Sequence, residues 1–241
     1  MTAYPGPRIF LLPLFLLPFL LAAPAAASTC YGRPGAGSIG AAVALPAGGT
    51  NFQAYSALGV QLGRTHVHGQ VSDVLLDAYT ALETSAPGKR FVYGETGLQA
   101  GGRMQPHRTH QNGLSVDFMV PVLDAQGRSV PLPSSPRNKF GYGVEFDAAG
   151  RAGALRIDYA ALAEHLYALQ RAAHARRIGI ALVIFDPALM PALLATPRGK
   201  DLRSLPFMQR KPWVRHDEHY HVDFTVPCQP RKAQGKVIKA R

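Results

Sequence analysis

The side chains best suited to chemistry in this 241-residue chain are five histidines and one aspartate in two short segments. They are His107, His110 and Asp117 in the first segment, and His216, His219 and His221 in the second. Imidazole is the commonest metal ligand among neutral side chains, and a carboxylate completes many zinc sites. The two segments together therefore predict a metal centre.

The spacing of the second segment fits one face of a β-strand. Alternate residues of a strand point to the same side, so His219 and His221 would share one face while Val222 points to the other. His110 would approach from a loop, and Asp117 would be held on a strand of its own. Two histidines, one carboxylate and a water form a four-coordinate zinc site with an open position. The alternative for an isolated pair of alternating histidines is an exposed edge strand without metal.

The hydrophobic pattern predicts the elements that must position these groups. It predicts helices over residues 71–83, 158–177 and 187–194, and strands over residues 90–94, 115–122, 180–185 and 219–226. Residues 28–50 are predicted to be an irregular lead-in, and residues 124–153 a long excursion of the kind that is often functional. This irregular mixture predicts an α+β fold, with helices packed on a small antiparallel sheet and the zinc site on that sheet.

The N-terminal segment has the pattern of a secretory signal peptide. Arg8 precedes an apolar, proline-containing run over residues 9–21, and small residues follow up to Ala27. The run is too short for a comfortable membrane span, so no stable membrane insertion is expected after cleavage. The alternative of a lipoprotein anchored through Cys30 is disfavoured, because Thr29 is a poor residue before a lipidated cysteine. We therefore predict a signal peptide over residues 1–27, a catalytic domain over residues 28–230 and a basic flexible tail over residues 231–241.

Charge and cysteine content agree with export. The net charge of +11 suits polyanionic surroundings, namely cell-wall carboxylates, membrane phosphates or nucleic acid, and export argues against nucleic acid. Cys30 and Cys228 are the two cysteines of the sequence. An even number of cysteines in an oxidising compartment favours pairing, so we predict a disulfide between them.

A resemblance to a known family adds to this interpretation. The run from Gly101 to Met104 and on through His110 to Asp117 resembles the penicillin-insensitive murein endopeptidases, as does Lys211-Pro212-Trp213 leading into residues 216–222. These enzymes belong to the lysostaphin, D-Ala-D-Ala peptidase and hedgehog group, in which a histidine is followed seven residues later by aspartate and much later by two alternating histidines. The similarity is concentrated in residues 91–122 and 178–228.

The resemblance implies roles for individual residues. It implies that His110, Asp117 and His221 bind Zn²⁺ and that His219 is the catalytic histidine. His107 and His216 match histidines near the metal and are expected to be auxiliary. The implied activity is periplasmic hydrolysis of D-alanyl–diaminopimelyl cross-links between peptidoglycan stem peptides. The basic residues that flank the two segments could receive stem carboxylates; they are Arg103, Arg108, Arg210, Lys211 and Arg215.

Two alternatives stay open at this point. One is a D,D-carboxypeptidase or dipeptidase that uses the same zinc site. The other is a non-enzymatic cell-wall-binding module on the same fold. The intact His110, Asp117, His219 and His221 argue against this alternative. The sequence carries no signal for an oligomeric state.

Overall fold

The computed structural model of this chain describes residue 1 and residues 27–231. Residues 2–26 of the predicted signal peptide and residues 232–241 of the predicted basic tail lie outside the described residues. Within the described part, no helix is both long enough and apolar enough to cross a membrane.

Short strands and a few helices alternate along the described chain. The strands are β1 (Thr29–Arg33), β2 (Ala36–Gly40), β3 (Val43–Ala44), β4 (Phe52–Ala54), β5 (His66–Val67), β6 (Phe91–Tyr93), β7 (Ser115–Met119), β8 (Val122–Leu123), β9 (Ser129–Val130), β10 (Arg151–Ala152), β11 (Leu155–Ile157), β12 (Gly179–Ile184) and β13 (His219–Thr225). The α-helices are α1 (Ala57–Gln61), α2 (Gly69–Ser85), α3 (Tyr159–Ala175) and α4 (Met190–Leu194). Two 3-10 helices cover Pro136–Gly141 and Gly199–Ser204.

A five-stranded sheet in the order β12-β13-β7-β6-β4 forms the centre of the fold. Its pairings are antiparallel except at the edge, where β4 runs parallel to β6. In the register between β13 and β7, His221 lies opposite Asp117 and Tyr220 lies opposite Phe118. Because side chains alternate along a strand, the polar pair occupies one face and the aromatic pair the other.

The aromatic face of the sheet is covered by two long helices. The helices α2 and α3 pack against each other, and each buries a stripe of aliphatic side chains. Helix α3 begins at the capping residue Asp158, whose carboxylate accepts a hydrogen bond from the Ala161 amide. Phe118 and Tyr220 stack on each other beneath these helices at a centroid distance of 5.4 Å. The predicted α+β architecture is confirmed, and the polar face of the sheet is left for the site.

Three predictions of local structure are wrong. Residues 124–153 are not one loop, because β9 and β10 within them join β8 and β11 in a four-stranded sheet. The predicted strand over residues 115–122 is divided at Pro121, which lacks the amide hydrogen that a continuing strand needs. The helix predicted from Pro187 begins only at Met190.

The lead-in over residues 28–50 was also predicted wrongly, since β1 and β2 form an antiparallel hairpin there. Gly32 has a φ of +70°, and a Cβ at this position would lie 2.3 Å from the Ala36 carbonyl oxygen, so the hairpin requires glycine. The predicted disulfide is confirmed: Cys30 in β1 is bonded to Cys228 beyond β13. The bridge fastens the hairpin to the end of the strand that carries His219 and His221.

His165 is a buried titratable group of α3 that the site does not use. Its ring lies between Tyr79 and Phe118, and its Nδ1 accepts a hydrogen bond from the Tyr220 hydroxyl. Burial lowers the pKa of His165 from its ordinary 6.5 to about 3. The folded state therefore leaves this histidine neutral at a pH where the unfolded chain binds a proton.

We expect this histidine to make the protein less stable in mild acid. As the pH falls below about 6.5, the free energy of unfolding should decrease by up to about 1.4 kcal/mol per pH unit, because only the unfolded state gains the proton. The variant His165→Gln should lose that slope, whereas His174→Gln, at an exposed position of the same helix, should keep it. Urea unfolding at a series of pH values measures the slopes, and equal slopes for the two variants would contradict the assignment.

Candidate metal centre and active-site cleft

The Asp117 carboxylate lies at the centre of the polar face of the sheet and is 1% exposed. Its Oδ1 is 2.8 Å from His221 Nδ1 and 3.2 Å from His110 Nε2. Its Oδ2 is 3.6 Å from His107 Nδ1. Burial alone raises the pKa of Asp117, but the positive charge of His219 and the hydrogen bond from His221 counter it, and the pKa lies well below the ordinary value. The carboxylate is therefore ionised at neutral pH.

The loop before β7 delivers two imidazoles to this carboxylate. His110 Nδ1 donates a hydrogen bond of 3.0 Å to the Thr96 carbonyl, so Nε2 of the neutral ring carries a lone pair. His107 Nε2 donates in the same way to Glu95, which leaves a lone pair on Nδ1. One ligand atom each from His107, His110 and Asp117 lies within 4.8 Å of the others. This group could hold a metal ion.

The His110 ring provides a test of whether a cation fits. Its Nε2 is buried without a hydrogen-bond partner in the described residues, although Asp117 Oδ1 is only 3.2 Å away. Two lone-pair atoms at that separation cannot hydrogen bond to each other, and a buried unpaired nitrogen is costly. A cation between them satisfies both atoms, so the donor set suits a metal such as zinc.

His221 is held between two carboxylates. Its Nδ1 faces Asp117, and its Nε2 lies 2.9 Å from Asp223 Oδ1, which also accepts a hydrogen bond from Ser115. Burial lowers the pKa of His221, but Asp223 and Asp117 outweigh it and raise the pKa to about 10. Hydrogen bonds thus fix the ring beside Asp117, and its predicted role as a metal ligand stays a prediction.

His219 occupies the cleft side of the same strand face. Its Nδ1 donates a hydrogen bond of 2.8 Å to Glu218, and its Nε2 is 4.0 Å from Asp117 Oδ2. Burial lowers the pKa of His219, and Asp117 and Glu218 outweigh it, so the pKa is raised. The neighbouring His216 packs 4.6 Å from the His219 ring, and burial is the main reason that its pKa falls to about 4. His219 can therefore hold a proton beside a neutral His216.

A buried ion pair that the sequence analysis missed positions His107. The Glu95 carboxylate accepts hydrogen bonds from His107, from the Tyr55 hydroxyl and from the Arg64 guanidinium. Arg64 also donates to the Gln105 carbonyl, which ties the loop before His107 to the same carboxylate. Burial raises the pKa of Glu95, but the bonds to His107 and Arg64 outweigh it and lower the pKa to about 2. This arrangement orients an imidazole that faces Asp117.

Tyr142 is a second missed residue, and it comes from the excursion between residues 124 and 153. Its hydroxyl accepts a hydrogen bond from the Glu95 amide and donates one of 3.0 Å to Asp117 Oδ2. A Cβ at Gly94 would lie 2.6 Å from this hydroxyl, so the glycine leaves room for it. Lys139 and Phe140, just before it, have positive φ angles of 52° and 57°. Such strained backbone is often found at functional sites, and the length of the excursion was the available sequence signal.

The predicted residues surround one cleft of about 660 Å³. His107, Asp117, His216, His219 and His221 line it, and His110 lies buried beneath them. Trp213, which is 42% exposed, stands at the rim. Tyr220, between His219 and His221 in β13, is buried on the opposite face of the sheet. The disulfide bond between Cys30 and Cys228 lies outside the lining of the cleft.

The cleft thus combines a buried cluster of histidines and a carboxylate with a possible metal group on a small sheet. The family model for penicillin-insensitive murein endopeptidases matches residues 30–238, and the chain belongs to this family. A comparison with curated proteins gives no match. Membership makes the chain a peptidase of murein, that is, of peptidoglycan.

We expect the Tyr142 hydroxyl to strengthen metal binding, because it fixes the Asp117 carboxylate. Loss of a hydrogen bond to a ligating carboxylate typically weakens metal affinity about 10- to 100-fold. Tyr142→Phe should show a loss of this size for Zn²⁺ in competition with a chromophoric chelator. Tyr167→Phe is the matched control, since Tyr167 lies on α3 and its hydroxyl makes no hydrogen bond within the described residues. Equal affinities for Tyr142→Phe and the unsubstituted protein would rule out this role.

Proposed function

We propose that this protein is an exported, zinc-dependent endopeptidase that hydrolyses D-alanyl–diaminopimelyl cross-links of peptidoglycan. The observation that carries the metal part of the proposal is the buried, unpaired Nε2 of His110 facing the ionised Asp117. The bond preference rests on the similarity of the two histidine segments to the murein endopeptidases.

The side chains that would hold Zn²⁺ are His110, Asp117 and His221, of which His221 has its Nδ1 beside the Asp117 carboxylate. His107 offers a further nitrogen close to the ligand atoms of His110 and Asp117. Bound Zn²⁺ supplies Lewis-acid polarisation of the scissile carbonyl and lowers the pKa of a water molecule. The hydrogen bonds to Thr96 and Glu95 keep the two loop imidazoles in the tautomers that ligation requires.

The remaining chemistry belongs to His219 and its partner Glu218. Hydrolysis adds water across the amide, so the departing amine must gain a proton. His219 Nε2 faces the cleft, and the bond from Nδ1 to Glu218 holds the ring in place. Because Asp117 and Glu218 raise the pKa of His219, this ring can carry the proton that the amine receives.

Export and domain boundaries form the second part of the proposal. We place a signal peptide over residues 1–27, the metallopeptidase domain over residues 28–230 and a basic tail over residues 231–241, and we place the mature protein in the periplasm. The disulfide bond between Cys30 and Cys228 supports an oxidising compartment. The net charge of +11 suits a substrate rich in carboxylates.

We expect substitution of His221 and of His219 to impair different properties of the enzyme. His221→Ala should lose both tight zinc binding and activity, because it removes a predicted ligand. His219→Ala should retain zinc but lose most of its turnover, by about 100-fold or more, as expected for a general acid or base. Metal analysis after dialysis and kinetics on cross-linked muropeptides measure the two properties, with His174→Ala as the control. Full zinc occupancy in His221→Ala, or loss of zinc in His219→Ala, would reverse the assigned roles.

Product analysis tests the proposed bond specificity. Purified muropeptide dimers should be converted to monomers, and a chelator should stop the conversion until Zn²⁺ is restored. Release of terminal alanine from dimers that stay intact would indicate a D,D-carboxypeptidase instead. Binding of murein with no product of either kind would indicate a cell-wall-binding module.

A further inference from the structure

A second cavity opens beside the active-site cleft, and its wall is strongly basic. The cavity has a volume of about 460 Å³, and Arg103, Arg108 and Arg231 line it. Its other lining residues are neutral or histidine, and no carboxylate is among them. We call this cavity the basic groove.

The basic groove is continuous with the cleft. Pro106, His107 and Arg108 line both cavities, so a molecule bound across the site can extend from one into the other. Gly35 and Ala36, at the turn of the hairpin, also line the groove. That turn is held in place by Gln111, whose side chain donates to the Gly35 carbonyl.

The arginines of the groove differ from the other arginines near the site. Arg64 is paired with Glu95, and Arg215 is paired with Glu145, Asp186 and Asp217. In the described part of the chain, neither Arg103 nor Arg108 has a carboxylate partner. No described carboxylate neutralises their positive charge, which is available to an anionic ligand.

Arg108 also lies against an aromatic side chain of the cleft. Its guanidinium lies 5.4 Å from the centre of the Trp213 ring, an arrangement that stabilises the cation and reduces the freedom it must lose on binding. Trp213 in turn packs edge-on against His216 at 6.0 Å, next to His219. A row of neighbouring side chains, Arg108, Trp213 and His216, therefore connects the groove to His219.

We propose that the basic groove is the subsite for the carboxylate-bearing stem peptide on the amine side of the scissile bond. This inference rests on the proposed function. In a D-alanyl–diaminopimelyl cross-link, the carbon that carries the linking amine also carries a free carboxylate. A negative charge consequently lies next to the bond to be cleaved, on the chain that leaves. Arg108, at the junction of the two cavities, binds this carboxylate, and Arg103 binds the stem farther along the groove.

The test compares two muropeptide dimers that differ only in amidation of that diaminopimelyl carboxylate. The unsubstituted enzyme should cleave the carboxylate form with a KM about 10- to 100-fold lower, the usual effect of a hydrogen bond to a charged group. Arg103→Gln and Arg108→Gln should reduce this discrimination while leaving zinc affinity unchanged. Arg171→Gln removes one positive charge from the exposed face of α3, and this control variant should still discriminate between the two dimers. A double variant that still discriminates like the unsubstituted enzyme would overturn the proposal.

Binding can be followed without catalysis in the His219→Ala background, where turnover is lost. Trp213 supplies the signal, because it is the single tryptophan of the chain and lies against Arg108. Titration of its fluorescence with the two dimers gives their affinities directly. If no dimer is cleaved, the proposed function is wrong. The titration still shows whether the basic groove binds the carboxylate. Tighter binding of the carboxylate form, lost in Arg103→Gln, supports the subsite, whereas equal binding of both forms overturns it.

Discussion

The structure depends on keeping one buried carboxylate ionised. Asp117 is almost completely removed from water, where an isolated charge is strongly unfavourable. It is tolerated because imidazoles from two segments and the Tyr142 hydroxyl converge on its two oxygens. The position in the sheet makes this possible, since β7 lies between β13 on one side and β6 on the other. The neighbouring strand β13 carries His219 and His221, and Glu95 follows the other neighbour, β6.

The two faces of the same sheet have different roles: one is packed in the core, and the other carries the site. Its aromatic face is fixed beneath α2 and α3, where Phe118 and Tyr220 contact His165 and each other. Its polar face is covered by loops, among them the loop of His107 and the turn that carries Tyr142. Asp117, His219 and His221 are therefore fixed by the strands that carry them, whereas His107 and His110 come from a loop and are fixed by hydrogen bonds to Glu95 and Thr96.

The strand-borne half of the site could be predicted from the sequence, because alternation within β13 determines which side chains share a face. The pairing of Cys30 with Cys228 could be predicted from an even number of cysteines. Glu95 and Tyr142 could not, since each reaches Asp117 or His107 through tertiary contacts that leave no periodic signal. Tyr220 stands between two site histidines in the sequence, but the alternation of side chains along β13 assigns it to the core. The hairpin of residues 29–40 was missed because its glycines resemble those of an irregular segment.

The direct pairing of Asp117 with His221 has a consequence for how this family can vary in length. A strand shifted by one residue exchanges its two faces, so deleting a single residue within β13 would direct Tyr220 and Val222 towards Asp117 and bury the histidines against α3. Substitutions in this stretch damage one contact at a time, whereas an insertion or deletion removes the whole constellation at once. The segment between residues 124 and 153 does not have to keep a fixed register, as long as the Tyr142 hydroxyl still forms its hydrogen bond to Asp117. Evolutionary changes in chain length are accordingly expected in that segment, and β7 and β13 are expected to keep a constant length.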